Sequence, residues 1–379
     1  MDFSLSPEQE RIREAIGKLC ERFPDEYWLK RDREGGFPAD FHQAFARDGW
    51  LGIAMPEEYG GSGLGITEAA VMMQAIAESG AGFSGASAVH MNIFGLNPVV
   101  IYGSEEQKKR MLPPLIAGKE RACFAVTEPN TGLNTKKLKT KAEKRGDKYI
   151  VSGQKVWIST AQVAEKVLLL AATGSGLTLF YTALDRKYVE VREIDKMGRH
   201  AVDSNQVFFD GLPVPESDRI GEEGQGFECI LDGMNPERIL IAAELVGLGR
   251  CAVARAARYA KERIVFDRPI GQNQAIQHPL AANWMALEAA NLMAFKAASL
   301  YDSGLACGAE ANAAKYLAGE ACFDACQQAV MTFGGFGYAR EYHVERYLRE
   351  SFVGRIAPVS RELILCFIAE RVLGLPKSY

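Results

Sequence analysis

The spacing of apolar residues changes twice along the chain. Near the N-terminus Ile12, Ile16 and Leu19 recur at helical intervals behind Ser6-Pro7-Glu8, which combines a capping residue, a proline and an early acid. Gly103-Ser104-Glu105-Glu106-Gln107 has the form of a capping box. These patterns predict helices over residues 1–120.

Between residues 121 and 225 the period becomes two, and Gly, Asp or Asn separates short β-branched and aromatic runs. These runs are Tyr149–Gly153, Lys166–Leu170, Leu177–Tyr181 and Gln206–Asp210. From residue 226 long Ala-rich stretches, Ile239–Ala260 and Ala281–Leu300, are apolar around more than one face, as in a bundle core or a subunit interface. The patterns therefore predict an α+β chain with a helical domain at 1–120, a β domain at 121–225 and a helical bundle at 226–379.

Composition narrows the function classes. The 379 residues are 47% hydrophobic and 24% charged, with a net charge of −4, which disfavours nucleic acid and anionic membranes as partners. No stretch approaches the ~18 apolar residues of a membrane span, and the N-terminus lacks the features of a signal peptide. Eight cysteines form no C-x-x-C and five histidines are far apart, so we expect no metal site and reduced thiols in a cytoplasmic protein. Cys322 and Cys326, one helical turn apart, are expected to be buried small hydrophobic residues.

Two segments of the predicted β domain carry the clearest chemical signal. Phe124–Pro129 reads as a strand that opens into a loop, and Gly153–Ser159 ends with an indole beside a hydroxyl. An indole can cover a flat aromatic ring while a hydroxyl bonds its rim. No G-x-G-x-x-G lies between a strand and a helix, so a Rossmann fold is not predicted.

This pair of segments resembles the flavin-contacting strands of the acyl-CoA dehydrogenase family. The helical, β, helical order matches that family's fold over essentially the whole chain. Four loop motifs that are weak singly add to the resemblance because they occur in the family's order: Pro56–Gly63, Gly103–Lys108, Gly221–Phe227 and Phe333–Tyr338.

The resemblance implies FAD as cofactor. It assigns the cofactor contacts to Phe124, Val126, Thr127, Gly132, Trp157, Ser159, Arg263, Phe266, Gln274, Gly334, Gly335 and Ser360. Without it, Thr127 and Ser159 read as ordinary strand hydroxyls. Arg263 and Phe266 occupy positions that reach a neighbouring subunit's cofactor, and the Gly334-Gly335 turn allows close approach of its phosphates. The resemblance thus implies a homo-oligomer, with a tetramer usual for the family.

Three cofactor positions depart from the family pattern. Leu133 replaces a hydroxyl in the loop after Glu128-Pro129, and Val265 and Met331 stand where Gln is usual. Each loss removes roughly 1 kcal/mol of net hydrogen bonding. We expect FAD binding to be retained but weaker than in typical members.

The resemblance also implies a position for the catalytic base. The loop that carries the base in most members reads here Ile356-Ala357-Pro358-Val359-Ser360, with Pro358 in the position of the glutamate. A minority of members supply the carboxylate from an earlier helix, where this chain has Glu237. Local sequence also allows a plainer interpretation: Asn235 as N-cap, Pro236 at the first helical position and Glu237 as a first-turn acid.

Other polar residues have weaker assignments. His90 falls in a segment that borders the acyl pocket in the family; it reads first as a satisfied helix histidine and second as a candidate for proton chemistry. Arg238 either contacts substrate or pairs with the neighbours of Glu237, and Glu362 reads as a surface or capping acid.

The activity implied by the resemblance is oxidation of an acyl-CoA to the 2,3-enoyl-CoA, with electrons passed to an electron-transfer flavoprotein. Pro358 has no N–H to hold the thioester oxygen. Either the loop is shifted by one residue so that Val359 donates, or another group substitutes, or the chain is not an efficient acyl-CoA oxidiser; we expect a neighbouring N–H to take over. The alternatives are a family member with altered chemistry, such as a monooxygenase or an enzyme for carrier-bound acyl groups, and a degenerate binding protein.

Overall fold

The computed structural model describes residues 3–378. Its N-terminal part is helical, as predicted. The helices are α1 Pro7–Cys20, α2 Asp25–Glu34, α3 Ala39–Arg47, α4 Ile66–Ile76, α5 Gly82–Phe94, α6 Asn97–Tyr102 and α7 Glu105–Ile116. Ser104 forms the predicted capping box, and Ser6, predicted as a cap, forms a capping box as well. In each, the serine Oγ accepts the backbone N–H of a glutamine three residues later, and the serine N–H donates to that glutamine's Oε1.

The middle part is a β domain with one mixed sheet. Its strands are β1 Ala122–Ala125, β2 Lys141–Arg145, β3 Lys148–Ser159, β4 Lys166–Thr173, β5 Gly176–Ala183, β6 Val189–Glu193, β7 Ser204–Pro215 and β8 Arg219–Ile220. The spatial order is β6-β7-β3-β2-β4-β5-β8, with β1 parallel to β4. All four predicted strand runs lie within these strands, and β5 is buried over most of its length.

The C-terminal part returns to helices. It contains α8 Gly226–Glu262, the short hairpin β9 Ile264–Val265 and β10 Arg268–Pro269, then α9 Gln274–Asp302, α10 Gly308–Phe333, α11 Val344–Ser351, α12 Val353–Ile356 and α13 Arg361–Arg371. Helices α8, α9 and α10 pack against one another through buried alanines and small residues, including Cys322 and Cys326. The expected burial of this cysteine pair is confirmed.

The start of α8 corrects one interpretation. Pro236 and Glu237 lie inside this 37-residue helix, ten and eleven residues beyond its first residue Gly226, and both are buried. The predicted N-cap at Asn235 is therefore wrong, and so is the idea that Glu237 only complements a helix dipole. The packing of α8 against α4, α5 and α10 explains why the helix continues through a proline that removes one backbone hydrogen bond.

The domain ranges at 1–120, 121–225 and 226–379 remain predictions. Helices give way to strands between Ile116 and Ala122, and strands to α8 between Ile220 and Gly226. Among the helices that the structure describes between residues 3 and 378, none has the length and apolar character required to cross a bilayer.

Candidate active site

The β domain presents an open face built around an irregularity in β3. The β3–β7 pairing shifts between Lys155 and Ile158, and Trp157 takes a φ of 62° there. Such bulges redirect side chains beside functional sites. The Trp157 side chain is consequently 58% exposed although it belongs to a central strand.

The loop after β1 is held against this bulge. Val156 donates its N–H to the Thr127 carbonyl at 2.9 Å, and the buried Lys155 ammonium bonds the Val126 carbonyl and a Glu128 carboxylate oxygen, both at 3.0 Å. Burial lowers the pKa of Lys155 to about 8, against the opposing pull of Glu128. These contacts place Thr127 beside Trp157.

The first set of predicted cofactor contacts therefore shares one region of the β domain. Phe124, Thr127 and Ser159 are half-buried, which leaves part of each side chain accessible beside exposed Trp157. Val126 differs because its side chain is buried in the core. Gly132 lies in the exposed loop that follows, in open space.

The second set lies on the C-terminal helical domain. An open cavity of about 530 Å³ is lined by Tyr259, Arg263, Val265, Ile270, Thr332, Phe333, Gly334, Gly335 and Phe336. Arg263 stands over the Phe336 ring at 5.5 Å. A Cβ at Gly334 or Gly335 would meet nothing within 4 Å, so a ligand has room beside this backbone. Gln274 is the exposed first residue of α9.

The hairpin next to this cavity has an unusual tip. Phe266 and Asp267, the two residues between β9 and β10, have φ values of 52° and 60°. This is the backbone of a two-residue hairpin turn, in which Asn and Gly are the common occupants. Phe266 is 94% exposed there, so a large apolar ring projects beyond the surface of this chain.

A group of charged residues lies around the central part of α8, and we call it the α8 charge cluster: Glu237, Arg238 and Glu244 of α8, His90 of α5 and Lys315 of α10. All are buried except Arg238, which is half-buried. Glu237 is 9% exposed, and its Oε2 has no hydrogen-bond partner among the described residues. Burial raises the pKa of Glu237 to about 7, although the charges of His90 and Arg238 oppose this shift. A free carboxylate oxygen with a pKa near neutrality fits a general base.

His90 is satisfied by an ion pair, in line with its first interpretation. Its Nδ1 lies 2.5 Å from Glu244 Oε1, and both residues are buried. Burial disfavours the charged imidazole, but the Glu244 carboxylate outweighs it and raises the pKa of His90. Glu244 follows Glu237 by two helical turns, so the pair lies along the same side of α8 as the candidate base.

Arg238 bonds to its own helix. Its Nη1 donates to the Met234 carbonyl at 3.2 Å and to Asn235 Oδ1 at 3.3 Å. Burial lowers its pKa, while the Glu237 charge opposes that shift. These contacts match the second alternative for Arg238, pairing with the neighbours of Glu237; contact with substrate remains a prediction.

Lys315, which sequence reasoning missed, fixes the loop that lacks the usual base. Its buried ammonium donates to the Val359 carbonyl at 2.6 Å. Burial lowers the pKa of Lys315 to about 8, and the Arg238 charge adds to this effect. Ser360 caps α13 by accepting the Leu363 N–H at 3.3 Å, and Glu362 is exposed in the first turn of that helix, as expected.

Comparison with known proteins agrees with this order of a helical domain, a β domain and a second helical domain. Three models of the acyl-CoA dehydrogenase family match: the N-terminal domain over residues 6–119, the middle domain over 123–212 and the C-terminal domain over 224–373. An acyl-CoA dehydrogenase of Mycobacterium tuberculosis is 37% identical over 389 residues, which cover 100% of this chain and 99% of the relative.

Solved structures agree with the sequence comparison. A glutaryl-coenzyme A dehydrogenase in complex with glutaryl-CoA superposes with a TM-score of 0.95 at 30% identity, covering 100% of this chain and 98% of the other. The FAD complex of PigA superposes with a TM-score of 0.94 at 26% identity, covering 99% and 100%. The fold is that of a family of flavin oxidoreductases. The chain belongs to the acyl-CoA dehydrogenase family.

Proposed function

We propose that this chain is a FAD-dependent dehydrogenase that converts an acyl-CoA thioester to the 2,3-enoyl-CoA, with Glu237 as the base. The observation that carries the proposal is the buried carboxylate of Glu237, whose pKa is raised to about 7 and whose Oε2 has no hydrogen-bond partner in the described structure. A carboxylate of this kind can accept the α proton of the thioester near neutral pH.

The α8 charge cluster sets the pKa of this base. Positive charges on His90 and Arg238 lower the pKa of Glu237 against the dominant effect of burial, and Glu244 raises it. Without the positive groups, Glu237 would stay protonated at neutral pH and could not accept a proton. Burial and the charges of the cluster together therefore keep the pKa of Glu237 above that of an ordinary carboxyl group but low enough for the group to be ionised near neutral pH.

The residues present fit FAD in two groups. Phe124, Thr127, Trp157 and Ser159 would hold the ring system on the open β face, with the Val126 backbone and Gly132 beside them. The other end of the cofactor would be held by Arg263, Phe266, Gln274, Gly334, Gly335 and Ser360. When bound, FAD supplies the acceptor for the hydride that leaves the β carbon, so that each substrate loses one proton and one hydride.

The division of these contacts supports a homo-oligomer. The cavity beside Arg263 and Gly334 is lined by residues of the C-terminal helical domain, whereas the ring contacts lie on the β domain. The exposed Phe266 ring projects from a left-handed turn next to that cavity. We infer that these residues complete the cofactor site of a neighbouring subunit, within a tetramer.

The thioester oxygen needs a second donor besides a hydroxyl of the cofactor's ribityl chain. Pro358 supplies no N–H. Lys315 bonds the Val359 carbonyl at 2.6 Å, which holds this loop in place. The Val359 N–H is the first backbone donor that follows Pro358 in the chain, and we propose it as the second donor. Loss of one such donor elsewhere costs on the order of 10²–10³ in rate, so the Val359 assignment decides whether this is an efficient dehydrogenase.

The proposed electron acceptor is an electron-transfer flavoprotein, and the proposed substrate is an acyl-CoA. Pro358 is the observation that favours a second candidate: a family member with altered chemistry that does not need the missing N–H. The two candidates differ in whether an acyl-CoA alone reduces the bound flavin.

Anaerobic mixing of the FAD-loaded protein with a panel of acyl-CoAs tests the proposal. We expect some of the acyl-CoAs to bleach the visible absorbance of the flavin, with about one flavin reduced per active site. The enoyl-CoA product should appear in equal amount. If no acyl-CoA bleaches a fully loaded flavin, the dehydrogenase proposal is wrong and the altered-chemistry candidate replaces it.

A further inference from the structure

Arg199 donates hydrogen bonds to three hydroxyl groups on three separate elements. Its Nη1 donates to Ser87 Oγ on α5 at 3.2 Å. Its Nη2 donates to Ser159 Oγ at the end of β3 at 2.9 Å and to Ser204 Oγ at the start of β7 at 3.4 Å. Arg199 itself lies between β6 and β7 with a left-handed φ of 59°.

The charge of Arg199 is not explained by an ion pair. Its hydrogen-bond acceptors are neutral hydroxyls, and its Nε is buried without a partner in the described part of the chain. Burial lowers its pKa, and the opposing carboxylates, led by Glu244, act through space. A guanidinium remains charged in proteins, and placing an ion among neutral groups costs free energy. The three hydrogen bonds therefore orient Arg199 without neutralising its charge.

The hydrogen bond from Arg199 determines which way the Ser159 hydroxyl can donate. A hydroxyl has one hydrogen to donate and two lone pairs. Arg199 can only donate, so it occupies a lone pair of Ser159 Oγ and leaves the Ser159 hydrogen to point elsewhere. A charged donor also polarises that hydroxyl and strengthens the bond it makes. Ser159 is half-buried on the same open face as Thr127 and Trp157.

We propose that Arg199 is a positioning residue that turns the Ser159 hydroxyl into a hydrogen-bond donor toward the ring of FAD and raises the reduction potential of the bound cofactor. The inference rests on the proposed function, because it requires Ser159 to contact the flavin. Two-electron reduction increases the electron density of the ring. A fixed positive charge and an oriented donor therefore favour the reduced form.

The test is the midpoint potential of FAD bound to Arg199→Gln, measured by equilibration with a reference dye. Gln keeps a polar side chain but removes the charge. We expect the ratio of reduced to oxidised FAD at a fixed potential to fall about tenfold, which is about 30 mV for a two-electron couple. Arg199→Lys keeps the charge and should retain most of the potential.

A double-mutant cycle separates action through Ser159 from a general effect. If Arg199 acts through that hydroxyl, Arg199→Gln should change the potential less in a Ser159→Ala background than alone. Arg186→Gln is the matched control: this arginine of the same domain bonds backbone carbonyls, including that of Ala161 at 2.6 Å, and its loss should leave the potential unchanged.

The possible results separate the role of Arg199 from the proposed placement of the flavin. If Ser159→Ala shifts the potential and Arg199→Gln does not, the inference about Arg199 is overturned while the proposed function stands. If the protein binds no FAD, or Ser159→Ala changes neither spectrum nor potential, the flavin placement fails and the inference fails with it. If Arg199→Gln does not fold, the double variant Ser87→Ala/Ser204→Ala replaces it. This variant keeps the guanidinium but removes two of its hydrogen-bond acceptors, so we expect a smaller decrease in the midpoint potential. An unchanged potential overturns the inference.

Discussion

The two ends of the candidate site are built in opposite ways. The α8 charge cluster lies in the interior, and its central ion pair, His90 with Glu244, is closed within one chain at 2.5 Å. The cavity beside Arg263 and Gly334 is open, and the side chains around it, such as Phe266, extend outward. The interior end is thus complete within a single chain, whereas the proposed function requires a ligand and a second subunit at the open end.

This difference affects what each region tolerates. A charge changed in the interior leaves its partner buried and unpaired, which carries a large penalty. A side chain changed at the open cavity loses only a solvated contact to a ligand. We therefore expect mutations at the α8 charge cluster to have large effects on chemistry and folding, and mutations at the cavity to have small effects on binding.

The sharpest test of the interior end is Glu237→Gln. Gln keeps the shape and the helical position but cannot accept a proton, so substrate-dependent flavin reduction should fall about 10²–10⁴-fold while FAD stays bound. Stopped-flow absorbance under anaerobic conditions measures the rate. Glu362→Gln, at an exposed acid of α13, is the control and should reduce at the parent rate. Parent-like reduction by Glu237→Gln would place the base elsewhere, with His90→Gln as the next variant.

The ion pair behind the base should be needed for folding. Glu244→Gln removes the carboxylate that keeps His90 charged, so the buried imidazole loses its proton and the charged hydrogen bond is lost. We expect the free energy of unfolding to fall by about 1.5–3 kcal/mol. Because the folded-state pKa of His90 is raised, the stabilisation by the pair is complete below its ordinary value of 6.5 and is lost as pH rises through the raised pKa. Urea denaturation at pH 6 and pH 9 should therefore show the larger loss at pH 6.

Glu262→Gln provides the comparison for this measurement, since Glu262 is an exposed acid at the end of the same helix. It should change stability by less than about 0.5 kcal/mol at either pH. Equal losses for the two variants, or a loss that does not depend on pH, would contradict the role assigned to the His90–Glu244 pair.

Features that depend on contacts between residues close in sequence were predictable, whereas features that depend on distant contacts were not. The capping boxes at Ser6 and Ser104 were predictable because a cap and its partner are three residues apart. The strands were predictable from alternation. The continuous α8 was not, because Asn235-Pro236-Glu237 is also a good helix start, and only packing against α4, α5 and α10 decides between them.

Site residues divide in the same way. The resemblance assigned Glu237 as the base and named the ring contacts, and these assignments remain predictions. Sequence reasoning missed Glu244, Lys315 and Arg199. Their partners are distant in sequence: 154 positions separate His90 from Glu244, and 44 separate Lys315 from Val359. The one available signal was an acid at 244 and a lysine at 315 within long apolar runs, where an unpaired charge would be costly.

The pH dependence of reduction is a milder test of the interior end. Glu237 must be ionised to accept the α proton, and its pKa is raised to about 7. The rate of flavin reduction should therefore rise about tenfold per pH unit below that pKa and level off above it. A plateau extending down to pH 5 would show that the base has an ordinary carboxylate pKa and is not the buried Glu237.

The smallest expected effect belongs to the open end, at Val265→Gln. Val265 lines the cavity beside Arg263, at a position where the family usually has Gln. A restored amide adds one hydrogen bond to the cofactor, worth about 1 kcal/mol, so the dissociation constant of FAD should fall about fivefold. Val265→Leu changes size without adding a polar group and should leave the constant unchanged. Fluorescence titration of the apoprotein with FAD measures both. A tightening in the Gln variant alone would assign this cavity to the cofactor, whereas equal affinities would remove Val265 from the cofactor site and leave the nucleotide end of the proposal to Arg263 and the Gly334-Gly335 turn.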